Sequence, residues 1–215
     1  PEGGRACYNY YTPLIGDDSY TFDPGNPDNI VCGCVATAIA QTIRYFEWPQ
    51  EGVGTVSGSA IVTYRDDNAV PPATLFNKKL RGGNGNGGPY QWDLMSLDPD
   101  GSEDEANLAQ IGALCFDAGL SVIMSYNEEN SGMSGAVAFP GALTGSFKYS
   151  FASGGGGAAD ARPNLDARRP CVASIDETTA IDASGHCVVI DGYGQEGNRW
   201  YYHINFGWGG GGNLW

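Results

Sequence analysis

Two amphipathic helical stretches early in the chain, a strand-rich final quarter and two glycine tracts between them predict an α+β fold. In it, a helical half packs on antiparallel strands with a cleft between. The clearest helix is residues 34–46 (CVATAIAQTIRYF), where Val35, Ile39, Ile43 and Phe46 share one stripe with Ala36 and Ala40 beside it. Trp48-Pro49 stops it. Residues 1–31 are polar, rich in Tyr, Asp and Pro, and carry turn signals at Gly16-Asp17 and Pro24-Gly25-Asn26, so they read as extended surface chain. Residues 52–64 lead into a looser region and then a Gly-Asn tract, 82–88, that reads as a loop. A second amphipathic helix covers 104–117, with Leu108, Ile111, Leu114 and Cys115 apolar, and Ala118-Gly119 ends it. Residues 120–126 read as a short strand. A weaker helix over 136–149 is interrupted by Pro140-Gly141, and 153–157 is the second glycine loop. Residues 171–175, 186–191 and 200–206 are strands, with a turn over 192–198.

The expected organisation is a single domain over 1–215, with a helical subdomain at about 30–150 and a β subdomain at about 165–215. Composition narrows the partners. Asp and Glu number 25 against 11 Lys and Arg, a formal net charge of −14. Such a surface repels phosphate backbones and anionic headgroups, so no nucleic acid is expected as partner. No apolar run approaches the ~18–20 residues of a membrane span, so no membrane insertion is expected. Glycine is abundant at 33 residues, yet a 41% hydrophobic and 12% aromatic content belongs to a globular chain.

Six cysteines (Cys7, Cys32, Cys34, Cys115, Cys171, Cys187) and two histidines (His186, His203) are the scarce reactive residues. Cys32-Gly33-Cys34 has no second close Cys/His pair to complete a zinc set, and no metal or other cofactor is expected. The Asp-rich stretches at 98–102 and at Asp17, Asp18, Asp23 and Asp28 lack a full calcium loop with its terminal Glu and read as solvated loops. Cys34 is different. It opens the first helix, where unpaired backbone N–H groups and the positive end of the helix dipole favour a thiolate, the nucleophilic form. The competing reading is a buried thiol in an Ala-rich helix. A nucleophile needs a base: His186 opens an apolar strand beside Gly185, whereas His203 lies inside a strand and reads as structural. Asn205, 19 residues after His186, supplies an amide that can hold the imidazole tautomer. Cys, then His about 150 residues on, then Asn, is the order of papain-like thiol proteases.

Four stretches in register sharpen this. Gly33-Cys34-Val35-Ala36-Thr37-Ala38 with Ala40-Gln41, Tyr45 and Trp48-Pro49 is one. Tyr90-Gln91-Trp92-Asp93-Leu94-Met95 followed by Asp117-Ala118-Gly119-Leu120-Ser121-Val122, Tyr126 and Ser131-Gly132 is the second. Gly185-His186 with Val189-Ile190-Asp191-Gly192-Tyr193, and His203-Ile204-Asn205-Phe206-Gly207-Trp208-Gly209-Gly210, complete the set. Together they resemble the streptopain-like cysteine peptidases, secreted bacterial enzymes of the papain fold, from Tyr8-Asn9 to the end of the chain.

The resemblance implies a secreted, extracellular bacterial cysteine endopeptidase acting on protein or peptide substrates, held as a zymogen by an inhibitory propeptide in its precursor. Cys34 would be the nucleophile, His186 the base and Asn205 the orienting amide, with Trp208 shielding the His–Asn bond. The Cys34 N–H and one further donor would hold the oxyanion. Streptopain-like enzymes have a glutamine shortly before the histidine, and Ser174 stands at that place here. Phe206 stands where the family often has Trp. The loop with Ser131, Gly132 and Ser134, and Gly185 beside the base, would line the substrate groove. Five further cysteines are a departure, with Cys7–Cys32 the first disulfide to test. The family continues beyond the place where this chain stops, so the chain is expected to be a fragment lacking its last strands. A papain-fold amidase or transferase, and an inactive binding homologue, are the alternative readings.

Overall fold

The structure is a computed structural model of the 215-residue chain; it describes residues 6–14, 22–63, 74–100, 102–127, 131–133, 139–176, 185–209, 211–213 and 215. Helix α1 (Cys34–Phe46) is its centre. Val35 to Ala40, Thr42 and Ile43 are all buried, so the helix is covered on more faces than its apolar stripe requires. Its alanines are what permit this, because small side chains let neighbours approach on every side. Glu47 ends it in the left-handed conformation at φ 48°, its N–H returning to the carbonyls of Ile43 and Arg44.

On one side α1 packs against α2 (Glu105–Ser121), and on the other against two strands of a C-terminal sheet. Helix α2 runs past the Ala118-Gly119 stop and takes up the first residues of the expected strand at 120–126, which starts instead at Met124. Burial explains the overrun: every residue from Gln110 to Ser121 is buried, and packing overrides the weak helix propensity of one glycine. Gly112 on this helix is needed for contact, since an added Cβ would stand 2.2 Å from Tyr10 Cβ. The N-terminal segment therefore lies on α2. The expected surface chain is in part core, with Ala6, Cys7, Tyr10 and Thr12 buried. Asn29 ties it down, its Nδ2 donating to the carbonyls of Asn9, Tyr10 and Asp23.

The first half is less helical than expected. It holds a four-stranded sheet in the order β2-β1-β3-β4, built from β1 (Ser57–Thr63), β2 (Thr74–Lys79), β3 (Met124–Asn127) and β4 (Gly132–Met133). β1 pairs with β2 in antiparallel fashion and with β3 in parallel. The weaker helix expected over 136–149 reduces to a turn, α3 (Phe139–Gly141), followed by a π-type turn over Ala142–Ser146; its first residues lie outside those described. Helix α4 (Ala158–Asp166), with Pro163 inside it, was not expected.

The second sheet has the order β5-β6-β7, all antiparallel: β5 (Cys171–Asp176), β6 (Gly185–Glu196) and β7 (Arg199–Asn205). The turn expected over 192–198 is mostly strand, because β6 bulges between Ile190 and Gly192 and then continues to Glu196. Among the described residues, no helix is long and apolar enough to cross a membrane.

Candidate active site

Cys34 is the first residue of α1 and half-buried. Gly33 before it has φ +85°, and a Cβ there would lie 2.5 Å from Met124 Cε and 2.6 Å from the Ser131 carbonyl oxygen. Only glycine meets both demands, and the resulting sharp entry leaves the helix start uncovered by its own cap: no side chain caps it and no acidic residue sits in the first turn. The Cys34 sulfur thus stands at the positive end of the helix dipole.

The same stripe of α1 meets the turn that follows β7. Counting three and seven residues on from Cys34 gives Thr37 and Gln41. Thr37 packs on the backbone of Gly207, whose added Cβ would be 3.0 Å from Thr37 Cγ2. Gln41 Nε2 donates to Asn205 Oδ1 at 3.4 Å. The turn after β7 is therefore seated on the helix that carries the thiol. Cys187, next to His186 on β6, is buried and close enough to Cys34 for the two sulfurs to interact electrostatically. Burial, with that neighbour adding to it, pushes the Cys187 thiol up to about 12, so it stays protonated and inert.

His186 is the second residue of β6, paired across the sheet with Ile175. Its Nε2 lies 3.0 Å from the Phe206 carbonyl oxygen. A carbonyl only accepts, so Nε2 carries the proton and Nδ1 is left with its lone pair. The imidazole stacks on Phe206 with centroids 5.8 Å apart and planes 14° apart, and Trp208 covers it at 5.1 Å and 36°. His203 is committed elsewhere: its Nδ1 is 2.5 Å from Asp191 Oδ1, and its ring packs on Trp215. That leaves His186 as the imidazole beside the thiol-bearing helix.

Residues 3–215 match the peptidase C10 family. The chain belongs to this family. Streptopain of Streptococcus pyogenes serotype M1 is 28% identical over 215 residues, covering 94% of this chain and 49% of that protein. Thiol protease/hemagglutinin PrtT of Porphyromonas gingivalis is 26% identical over 212 residues, 92% of this chain and 22% of that protein. The chain spans about half the length of the streptopains it matches. Among solved structures, active wild-type interpain A cysteine protease of Prevotella intermedia superposes with a TM-score of 0.65 at 22% identity, over 96% of this chain and 79% of that one. The α+β fold is accordingly papain-like.

Other residues singled out in this C10 chain are placed unevenly. Asn205 ends β7, but its Oδ1 accepts from the Gly207 N–H at 2.9 Å and from Gln41, while the histidine bonds the next carbonyl along. The amide fixes the turn that in turn fixes the imidazole. Trp208 is 57% exposed and lies against His186 and Phe206. Ser174 is exposed on β5 and pairs with Cys187, which puts both side chains on one face of the sheet. Gly185 is exposed at the start of β6, opposite Asp176.

Ser131 turns its side chain inward. It is 2% exposed, its hydroxyl is bonded to the Asn127 backbone, and its carbonyl abuts Gly33, so its side chain supports the helix entry and does not face a groove. Gly132 is open, with nothing within 4 Å of where a Cβ would stand. Ser134 lies outside the described residues. All six cysteines are free, so the Cys7–Cys32 disulfide is absent; the Cys32 thiol faces Thr37 and Cys115 instead. Two contributors carried no role in the sequence reading: Gln41, whose signals are its place in the first motif and its two-turn spacing from Cys34, and the Phe206 carbonyl, which as a main-chain group has none. A cavity of about 220 Å³ behind the histidine turn, lined by Gln41, Tyr45, Met95, Leu97, Val189 and Asn205, does not reach Cys34 or His186.

Proposed function

We propose that this chain is the catalytic part of a secreted, extracellular bacterial cysteine endopeptidase, a single domain whose substrate lies between the α1–α2 side and the β5–β7 sheet. The observation that carries the reading is the commitment of His186 Nε2 to the Phe206 carbonyl, on a turn seated on the stripe of α1 that begins at Cys34. With Nε2 holding its proton, Nδ1 takes the proton of Cys34 and the thiolate attacks the scissile carbonyl carbon. The tetrahedral oxyanion is met by the uncapped N–H of Cys34, with the exposed Ser174 of β5 as the second donor. His186 returns the proton to the leaving amine, which departs as the acyl-enzyme forms. Water, deprotonated by His186, then releases the peptide acid and restores the thiol. Trp208 and Phe206 keep water from the His186–carbonyl bond.

An extended peptide substrate fits the edges at hand. β4 is the outer strand of its sheet, and Gly132 on it is open, so main-chain pairing with a substrate strand is available there. Gly185 leaves room beside the imidazole at the start of β6. The net charge of −14 favours basic peptides. A solved prointerpain A fragment, with a TM-score of 0.59 to this chain, supports a precursor held by an inhibitory propeptide.

Alkylation tests the pair directly. Iodoacetamide is expected to label Cys34 ahead of the other five thiols, and His186→Ala is expected to slow that labelling and peptide hydrolysis by about 10³-fold or more. Uniform slow labelling of several cysteines, or unchanged Cys34 labelling in His186→Ala, would overturn the reading.

A further inference from the structure

The Gly-Asn tract at 82–88 has no part in peptide hydrolysis, yet it is firmly placed. At its start the Asp117 carboxylate on α2 accepts the main-chain N–H groups of Arg81 and Gly82. The Gly87 N–H closes the loop on the Arg81 carbonyl at 2.7 Å, and Asn84 Oδ1 accepts from the N–H groups of Asn86 and Gly88. Gln110 clamps the loop to α2: its Nε2 donates to the Gly83 carbonyl at 2.8 Å, and its Oε1 accepts from the Gln91 N–H at 3.0 Å. The fit is close, since an added Cβ at Gly83 would stand 2.2 Å from the Pro89 carbonyl oxygen.

Between this loop and α2 lies a cavity of about 290 Å³. Ala106, Ala109, Gln110 and Ala113 line it from one face of the helix, with Leu94 beside them. Neither Cys34 nor His186 is among its lining residues. Arg81 is the one charged residue that lines it among those described. Its guanidinium carbon lies 3.6 Å from the centre of the Tyr11 ring, and its Nη2 would be 3.6 Å from a Cβ at Gly85. Among the described residues its side chain meets no hydrogen-bond acceptor, and its Nε is buried without a partner. Asp117 does not serve, because its oxygens are taken by the Arg81 and Gly82 N–H groups and the Tyr90 hydroxyl.

A half-buried cation is costly to leave without an acceptor, and an anion from solution supplies one. Tyr11 occupies a face of the guanidinium, so the donors at its edge remain for a planar acceptor, and a carboxylate fits that fork. One cation matches one negative charge, whereas a phosphate dianion would bring a second onto a chain of net charge −14. The local field favours an anion all the same, since Lys78, Lys79 and Arg81 are three of the eleven basic residues. The rest of the wall, methyl groups and Leu94, suits an apolar group behind the carboxylate.

We propose that this cavity binds a monocarboxylate carried on an apolar group, with Arg81 pairing the carboxylate and Leu94 and the α2 alanines holding the apolar part. Such a group is found at the C-terminus of a peptide ending in an apolar residue, and in a free arylalkanoic acid.

The isotope-labelled full chain is titrated with N-acetylphenylalanine, with phenylpropanoate and with the uncharged N-acetylphenylalaninamide, following the amide signals of Gly83, Asn84 and Gly85 by NMR. Both acids are expected to shift these signals saturably with Kd of about 1 mM, and the amide to bind about tenfold or more weakly. Whichever acid binds more tightly names the source, a peptide C-terminus or a free acid, and either supports the proposal. Arg81→Met, which keeps an apolar stem over Tyr11, is expected to lose about tenfold or more in affinity, whereas Arg199→Met removes a charge elsewhere and leaves it unchanged. Ala106→Trp, at an exposed position of the cavity wall, is expected to block binding with Arg81 intact, so the site is testable even where Arg81→Met does not fold. No saturable shift, equal binding of the amide, tighter binding of inorganic phosphate than of either acid, or full affinity in Ala106→Trp overturns the proposal. None of these measurements depends on whether the chain cleaves peptides.

Discussion

Cys32 and Cys34 are separated by one glycine, yet Cys32 is closed inside the core and Cys34 stands at the open start of α1. Gly33 makes the difference. Its φ of +85° reverses the chain, sending one sulfur towards α2 and the other towards the strand that carries His186. The inner thiol is buried and lies 3.1 Å from Thr37 Oγ1. The outer one is half-buried, with unpaired helix N–H groups behind it. In the proposed mechanism reactivity therefore follows from position relative to a helix end and to water, and not from residue type, which is the same in both.

The largest expected effect breaks this pair apart. Cys34→Ser is expected to lower kcat/KM for peptide hydrolysis by about 10⁴-fold or more with Tm little changed, because a hydroxyl at the helix start is not ionised as a thiol is. Cys32→Ser should do the reverse, keeping kcat/KM within about threefold but lowering Tm by several degrees, since it places a hydroxyl in the core. Melting curves and progress curves on the two variants separate the roles. Equal losses of activity would mean that the two sulfurs share one task.

How much of this was legible in the sequence depends on where the information sits. α1 was legible in both bounds because its periodicity, its alanines and Trp48-Pro49 all agree. The β1–β2 pair was not, because SGSAIVT and TLFNKK are short and become a sheet only by pairing with each other and with the distant β3. Gly192 and Gly194 read as a turn, whereas in the fold they let β6 bulge and give the Trp215 ring room. Within the site, Cys34 and His186 stood out because reactive residues are scarce and their motifs are in register. The histidine's acceptor did not, because a carbonyl belongs to every residue and only the turn decides which one is aimed. The place of the Ser131 side chain was not legible for a related reason: its motif marks a loop near the helix entry, and only burial shows that the hydroxyl turns back to the chain there.

A smaller effect tests the acceptor. Because Phe206 main chain bonds His186 and Asn205 acts by holding Gly207, Asn205→Ala is expected to cost about 3–10-fold in kcat/KM, far less than His186→Ala. Its pH–rate profile should keep its shape, since the imidazole retains both its acceptor and its tautomer. A loss as large as that of His186→Ala would show that the amide orients the imidazole directly.

The smallest effect lies far along the chain from both sulfurs and concerns stability alone. Asp117 is fully buried on α2, and its carboxylate accepts from the N–H groups of Arg81 (2.6 Å) and Gly82 (2.8 Å) and from the Tyr90 hydroxyl (2.6 Å). Burial nevertheless pushes its pKa up to about 7, the three donors offsetting only part of the cost. The sign then follows. In the unfolded chain the carboxyl ionises near pH ~4, whereas the native chain keeps the proton to about 7, so between these values the native state binds more protons. Stability from this group is complete below pH ~4, falls as pH rises through that window and levels off above it. Asp117→Asn cannot ionise, so although it melts lower throughout, having lost an acceptor for its three donors, its Tm should decline less between pH 4 and 7 than that of the parent chain. Parallel slopes for the two proteins would place the pH dependence elsewhere, and a Tm that rises for the parent over this range would mean that the three donors outweigh burial.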